Sequence, residues 1–82
     1  MQTDVLLFGP ISSEAGTDRL SIALPSEGMT GKALRDALAR EHPELAPLLP
    51  SHRFARNQEI VADSATLGPD DEIALIGMVS GG

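Results

Sequence analysis

The sequence contains no cysteine, tryptophan or tyrosine. Without cysteine there is no disulfide framework, no thiolate zinc site and no cysteine nucleophile. Two phenylalanines are its whole aromatic content, so nucleic-acid bases would find no stacking platform. Basic residues are also scarce: six stand against twelve acidic ones, and the net charge of −6 disfavours nucleic acid and anionic membrane surfaces as partners. An acidic surface of this kind favours basic protein partners instead.

Long apolar runs are absent as well. No segment reaches the roughly 20 apolar residues that a membrane-spanning helix needs, and the opening Met-Gln-Thr-Asp lacks the pattern of a secretory signal. We therefore expect a cytoplasmic protein. With 82 residues and 41% hydrophobic content, the chain is long and apolar enough for one small globular domain.

Two segments are apolar on both faces of a strand. Residues 3–9 and 73–76 contain consecutive apolar side chains, which predicts strands in the middle of a sheet. Residues 19–24 alternate between apolar and polar side chains, so they are predicted as a half-buried strand that forms a hairpin with the first. The connection between those two strands, residues 11–18, is predicted as a polar loop.

One long helix is predicted in the middle of the chain. Thr30 is a suitable N-cap for a helix over residues 31–42, and Pro43 ends it. Its small and apolar side chains fall on one stripe: Ala33, Leu34, Ala37 and Leu38. The helix therefore has one face to bury.

Shorter elements follow the helix. Residues 44–51 carry three leucines among prolines and predict a short helical turn at the end of the core. Residues 52–56 are predicted as a weak strand, and residues 59–62 as its short partner. Residues 63–69 are predicted as a loop that Leu67 anchors.

The order of these elements, with one long helix between two groups of strands, predicts an α+β domain in which one main helix packs on one face of a mixed sheet. One set of strand residues would face the helix: Val5, Leu7, Ile73 and Leu75. Alternation would then leave a second apolar set uncovered: Leu6, Phe8, Ala74 and Ile76, with Ile60 beside them. The opposite phase would uncover the first set instead. In either phase, an uncovered apolar face on a small acidic domain is most simply a protein interface.

Catalytic side chains are sparse. His42 and His52 are the two histidines, and both are interpreted as surface or helix-cap residues rather than as bases. The carboxylates of Asp70, Asp71 and Glu72 are interpreted as a solvated turn rather than a cation site. No metal-binding or phosphate-binding motif occurs in the sequence. Judged by its side chains, the chain is not a free-standing enzyme.

The last predicted strand runs directly into Val79-Ser80-Gly81-Gly82. We expect a folded domain over residues 1–78 and a thin tail over residues 79–82. Two glycines would let such a tail enter a narrow channel and would leave the terminal carboxylate unhindered. If ATP converted that carboxylate to an acyl-adenylate, a thiol or persulfide could displace AMP. The simpler alternative is a frayed end without function.

Nearly the whole chain resembles the ubiquitin-like β-grasp sulfur carriers of the MoaD/ThiS family, above all their MoaD-type members. The most specific match is the ending Val-Ser-Gly-Gly after an Asp-Glu-Ile strand. The other matching segments are Val5-Leu-Leu-Phe-Gly, Glu14-Ala-Gly, Ala33-Leu-Arg-Asp-Ala-Leu, Arg56-Asn-Gln-Glu-Ile-Val and Leu67-Gly-Pro. The chain departs from the family in having Gly77-Met78 in place of a Pro-Pro pair and Ser12-Ser13 in place of Arg-Glu.

The resemblance implies a β-grasp fold and a sulfur-transfer cycle. A MoeB-like E1 adenylating enzyme would use ATP to activate Gly82, and a sulfurtransferase would supply sulfur to form a C-terminal thiocarboxylate. The carrier would then dock on a MoaE-like large synthase subunit in a heterotetramer and deliver sulfur to cyclic pyranopterin monophosphate, in molybdenum cofactor biosynthesis. No cofactor or metal would be bound permanently.

The resemblance also implies a role for individual residues. Gly82 would carry the acyl group and the sulfur, and Gly81 would be its flexible neighbour. Val79 and Ser80 would lie in the partner's channel. The docking face would include Phe8, Ile60 and Ile76, which is also the set that alternation leaves uncovered.

Three alternatives stay open at this point. The same tail chemistry could serve another pathway, such as thiamine or cysteine synthesis. The chain could be a ubiquitin-like protein modifier whose Gly82 ends in an isopeptide bond. It could also be an interaction module with an inert tail.

Overall fold

A computed structural model describes residues 2–77. Predictions for the tail, Val79, Ser80, Gly81 and Gly82, lie outside the described residues, as do Met1 and Met78. The strands are β1 (Gln2–Phe8), β2 (Arg19–Ala23), β3 (Met29–Thr30), β4 (His52–Arg56), β5 (Glu59–Ile60), β6 (Thr66–Leu67) and β7 (Ile73–Gly77). The α-helices are α1 (Pro10–Ala15) and α2 (Gly31–Glu41), and 3₁₀ turns span Pro43–Leu45 and Leu49–Ser51.

The main sheet has the strand order β2-β1-β7-β4-β5. Strands β1 and β7 pair in parallel, and the other neighbours pair antiparallel. Both strands predicted to be central therefore have a neighbour on each side, which agrees with their continuous apolar sequences. A separate pair, β3 with β6, lies beside the start of α2.

The long helix is confirmed with its predicted cap. The side-chain oxygen of Thr30 accepts a hydrogen bond from the Ala33 backbone N–H at 3.2 Å, and the helix ends at Glu41 before Pro43. Ala33 itself is exposed, so its assignment to the buried stripe was wrong: it lies about 100° around the helix from Leu34, at the margin of the stripe. The 11 residues of α2 are too few to cross a bilayer, and no other helix within residues 2–77 is long and apolar enough.

The core lies between α2 and one face of the main sheet. Leu34 and Leu38 of α2 are buried in it together with Phe54 of β4. The sheet residues predicted to face the helix are all buried: Val5, Leu7, Ile73 and Leu75. The first of the two possible phases is therefore the one that the chain adopts.

Two predictions for the connections were wrong. Residues 11–18 do not form a loop throughout, because α1 occupies Pro10–Ala15. Pro10 lies in the first turn of α1, where a backbone N–H would have no acceptor within the helix, so its absence in proline costs nothing. The next residue, Ile11, is fully buried. Residues 63–69 contain strand β6, which pairs with β3 through Leu67. Leu67 is fully buried, as its predicted role as an anchor requires.

Candidate functional site: the open face of the sheet and the end of β7

The apolar side chains that α2 leaves uncovered lie in two rows across the sheet. The first row begins with Leu6 on β1 and Ala74 on β7, which are in register. It continues through Ala55 on β4 to Ile60 on β5. Residues in register project to the same face of the sheet, so these side chains form one row. The row crosses four strands, a width of roughly 14 Å at the usual strand spacing.

The second row lies closer to the end of β7. Phe8 on β1 is in register with Ile76 on β7, and Ile76 is in register with Arg53 on β4. The row is therefore apolar over two strands and cationic on the third. We call the apolar part of both rows the open face: Leu6, Phe8, Ala55, Ile60, Ala74 and Ile76.

The open face is a shallow trough. Phe8 and Ile60 stand at its sides and are the exposed large hydrophobic residues of the described chain, at 52% and 48% exposure. Ala55 and Ala74 form its floor and are almost fully buried, at 2% and 8% exposure. An apolar depression with raised apolar edges is the shape that accepts a protein partner.

The structure places the predicted docking residues Phe8, Ile60 and Ile76 together on this face, as alternation requires. Their role in docking remains a prediction. Arg53, which shares the second row, was not recognised from the sequence. Residues 52–56 do not alternate cleanly between apolar and charged side chains, so no pattern in the sequence placed it there.

Strand β7 ends in a narrow slot between His52 and Pro10. A Cβ atom on Gly77 would lie 3.1 Å from His52 Nε2 and 3.1 Å from Pro10 Cδ. Gly9 borders the slot, since a Cβ atom added to it would touch the Gly77 Cα at 3.5 Å. The φ of Gly9, +87°, also favours glycine. The point where the chain leaves the sheet toward residues 78–82 is thus fitted to a residue without a side chain.

His52 is buried, at 1% exposure, so its interpretation as a surface or cap residue was wrong. It points to the helix side of β4 with Phe54, and alternation would have shown this. Its Nδ1 lies 2.8 Å from the carbonyl oxygen of Leu48. Because a carbonyl only accepts, Nδ1 carries a proton, and the buried Nε2 has no hydrogen-bond partner within residues 2–77.

The packing of His52 against Gly77 predicts a coupled effect on stability. We expect Gly77→Ala to lower the free energy of unfolding by about 1 kcal/mol, because the added methyl group overpacks the slot. In a His52→Ala background the same substitution should cost clearly less, since the ring has been removed. Urea unfolding of the wild type, both single variants and the double variant measures the coupling.

Gly68→Ala is the matched control for Gly77→Ala. A Cβ on Gly68 would meet only the Asp71 carboxylate at 3.4 Å, an ordinary contact, so little change is expected. If Gly77→Ala lowers the free energy of unfolding equally with and without the His52 ring, the ring does not form the slot around Gly77.

Arg35 ties α2 to the segments that position His52. Its guanidinium donates to both carboxylate oxygens of Asp63, at 2.9 and 3.1 Å, and to the carbonyl oxygens of Leu49 and His52. Its Cζ lies 5.4 Å from the centre of the Phe54 ring. The hydrogen bond from Arg35 lowers the pKa of the Asp63 carboxyl, and the positive charge of Arg35 adds to this effect.

The Arg35–Asp63 pair lies in an open cleft of about 430 Å³ at the edge of β4. The cleft is lined by Arg35, Pro50, His52, Arg53, Ala62 and Asp63. Because the Arg35 guanidinium already has four hydrogen bonds, the pair is a structural connection rather than a vacant anion site.

The turn before β7 is held by one carboxylate. Asp71 accepts hydrogen bonds from the Gly68 backbone N–H at 2.8 Å and from the Asn57 side chain at 3.1 Å. These bonds lower the pKa of the Asp71 carboxyl, the backbone one most. Within residues 2–77 no three His, Asp or Glu side chains are placed to hold a metal ion together.

The sequence matches the ThiS family over residues 5–82. A protein of Arabidopsis thaliana described as a molybdopterin synthase sulfur carrier subunit is 34% identical over 82 residues, which cover all of this chain and 84% of that protein.

Solved structures agree with this match. The small archaeal modifier protein 1 of Haloferax volcanii is 26% identical with a TM-score of 0.77, over 95% of this chain and 98% of that one. The complex of subunits 1 and 2 of the molybdopterin-converting factor from Helicobacter pylori contains a chain that is 28% identical with a TM-score of 0.66, over the full length of both chains.

The expected fold is confirmed by these likenesses, since the mixed sheet with one main helix is that of ubiquitin-like β-grasp proteins. The family match extends through the tail residues that the structure does not describe. The chain belongs to the ThiS family, the ubiquitin-like β-grasp sulfur carriers of the MoaD/ThiS type.

Proposed function

We propose that this chain is the sulfur-carrying small subunit of a molybdopterin synthase and that Gly82 carries the sulfur. The observation that carries the proposal is the 34% identity to a molybdopterin synthase sulfur carrier subunit across the whole chain. The Gly81-Gly82 ending of this chain supplies the unhindered terminal carboxylate that the proposal needs. The open face supports it, because a carrier must dock on the protein that receives its tail.

The proposed chemistry takes place at the terminal carboxylate. A MoeB-like E1 enzyme joins a Gly82 carboxylate oxygen to the α-phosphorus of ATP and releases pyrophosphate. A persulfide of a sulfurtransferase attacks the acyl carbon and expels AMP. A thiol then attacks the sulfurtransferase sulfur of the acyl disulfide, which forms a new disulfide on the sulfurtransferase and releases the thiocarboxylate. Gly81 and Gly82 carry no side chain that would obstruct these attacks, and the chain itself supplies no catalytic group.

The proposed acceptor is cyclic pyranopterin monophosphate, held by a MoaE-like large subunit. The open face, with Phe8, Ile60 and Ile76, would dock on that subunit while Val79 and Ser80 occupy its channel. The solved complex of subunits 1 and 2 from Helicobacter pylori, whose smaller chain resembles this one, supports a large-subunit partner. We propose a cytoplasmic heterotetramer with a carrier at each end.

Intact-mass measurement tests the carrier chemistry directly. The protein with its native C-terminus is incubated with ATP, the E1-like enzyme and a persulfide-loaded sulfurtransferase. The expected result is a mass gain equal to the exchange of one oxygen for one sulfur, absent from a variant that lacks Gly82. If the full-length protein gains no mass while the E1-like enzyme is active on another carrier, the proposal is wrong. The acceptor is then tested by adding the large subunit and cyclic pyranopterin monophosphate and following the loss of that sulfur.

A second candidate function is protein modification. The likeness to a small archaeal modifier protein favours it, because both chains share the fold at 26% identity. In that case Gly82 would form an isopeptide bond with a lysine of another protein. Because Arg56 is the last basic residue of the chain, trypsin would leave residues 57–82 attached to the modified lysine. Branched peptides of that kind in lysate would support modification, and their absence under conditions that load sulfur would count against it.

A further inference from the structure

Arg53 is an exposed arginine on the open-face side of the sheet, and within residues 2–77 it makes no hydrogen bond or ion pair. The contrast is Arg19, in register with Leu6 at the other side of the sheet, whose guanidinium lies 3.4 Å from the Asp4 carboxylate. Arg40 of α2 also lacks an ion pair within residues 2–77, so what distinguishes Arg53 is its place beside the apolar trough. There its guanidinium is available to a carboxylate on another molecule.

One carboxylate near Arg53 is paired with another residue. Asp63 lies close enough for the positive charge of Arg53 to help lower the pKa of its carboxyl. Both Asp63 oxygens accept hydrogen bonds from Arg35, whereas within residues 2–77 no hydrogen bond joins Asp63 to Arg53. The donors of Arg53 are therefore available to a partner.

The position of Arg53 places it next to the exit of the tail. It is in register with Ile76, one residue before β7 ends at Gly77. Ile76 is in turn in register with the exposed ring of Phe8. Any protein that receives residues 78–82 while covering the open face must come against this row.

We propose that Arg53 is a specificity-determining residue of the docking surface, and that it pairs with a carboxylate of the large synthase subunit at the rim of the channel that receives the tail. The inference rests on the proposed function and names the chemistry of its partner. The aliphatic part of an arginine side chain packs well along an apolar neighbour such as Ile76, while its planar guanidinium group can bind both oxygens of a carboxylate.

Charge complementarity explains what such a contact would add. A chain of net charge −6 attracts basic surfaces in general, and this long-range attraction does not discriminate among them. A single cation beside the apolar trough rejects a partner that is basic at that point and accepts one with an acidic group there. The partner surface is therefore apolar opposite the trough, with an acidic residue opposite Arg53.

The test compares Arg53→Glu with Arg40→Glu in binding to the large subunit, by calorimetry at low and at physiological salt. Arg40 is exposed on α2, which packs on the opposite side of the sheet, and within residues 2–77 it has no ion pair. Both substitutions change the net charge equally. We expect Arg53→Glu to weaken binding about tenfold or more at both salt concentrations, and Arg40→Glu to change it by less than about twofold at physiological salt.

Each outcome bears on a separate statement. Equal effects of the two substitutions would overturn the inference, because net charge alone would then account for them. Loss of binding in Phe8→Ala with unchanged binding in Arg53→Glu would also overturn it, but would leave the proposed function intact. If neither Phe8→Ala nor Arg53→Glu changes binding, the open face is not the docking surface and Arg53 has no role in docking. Recovery of Arg53→Glu binding by an acidic-to-arginine substitution at the channel rim of the large subunit would establish the pair.

Discussion

Phe8→Asp is expected to weaken binding to the large synthase subunit by about a hundredfold, while the free domain stays folded. The ring is 52% exposed in the free chain and stands at the side of the trough, so a partner that covers the open face must bury it. An aspartate would instead bring an unpaired carboxylate into an apolar contact, where desolvation is costly. Calorimetry with the purified subunit measures the change, and circular dichroism verifies the fold.

Ala33→Asp is the matched control for Phe8→Asp. It adds the same charge at an exposed position of α2, on the opposite side of the sheet, in the first turn where an acidic residue is favoured. Its binding should be within about twofold of the wild type. Ile60→Asp, at the other side of the trough, should resemble Phe8→Asp. If both open-face variants bind like the control, the trough is not the docking surface.

Arg35→Ala is expected to lower the free energy of unfolding by about 3 kcal/mol. The substitution removes the bidentate pair with Asp63 and leaves the carbonyl oxygens of Leu49 and His52 without this donor. The side chain is 18% exposed, so water replaces these bonds poorly. Arg40→Ala, at an exposed site without an ion pair within residues 2–77, should change stability by about 0.5 kcal/mol or less. Urea unfolding at pH 7 separates the two.

The pH dependence of unfolding tests whether loss of the Arg35–Asp63 ion pair destabilises Arg35→Ala. Because the Asp63 pKa is lowered in the folded state, its contribution is present above the ordinary value of 3.8 and is lost as pH falls through the lower, folded value. The stability of the wild type should therefore fall below about pH 4, and that of Arg35→Ala should fall less steeply. Asp71, whose pKa is also lowered, contributes in the same window in both proteins. Equal slopes in the two proteins would show that the pair with Asp63 is not what stabilises the fold.

Local patterns in the sequence determined the main elements because each pattern reports on burial over a few neighbouring residues. The apolar runs around Val5 and Ile73 predicted two central strands, and Thr30 with Pro43 predicted the bounds of α2. Alternation also identified which side chains a single helix would leave uncovered. The Gly81-Gly82 ending suggested chemistry at the terminal carboxylate, and the family resemblance supplied the proposed sulfur-transfer cycle.

Only the tertiary structure decided which residues meet across the sheet. The phase of the strands was open until α2 was placed, and the register then brought Arg53 into one row with Phe8 and Ile76. The slot around Gly77 likewise depends on residues 25 and more positions away in the chain. His52 of β4 packs against Gly77 at the end of β7, where a Cβ atom would lie 3.1 Å from the ring. These contacts join residues that are far apart in the chain. The sequence shows which side chains are available for such contacts, but only the tertiary structure shows which of them are neighbours.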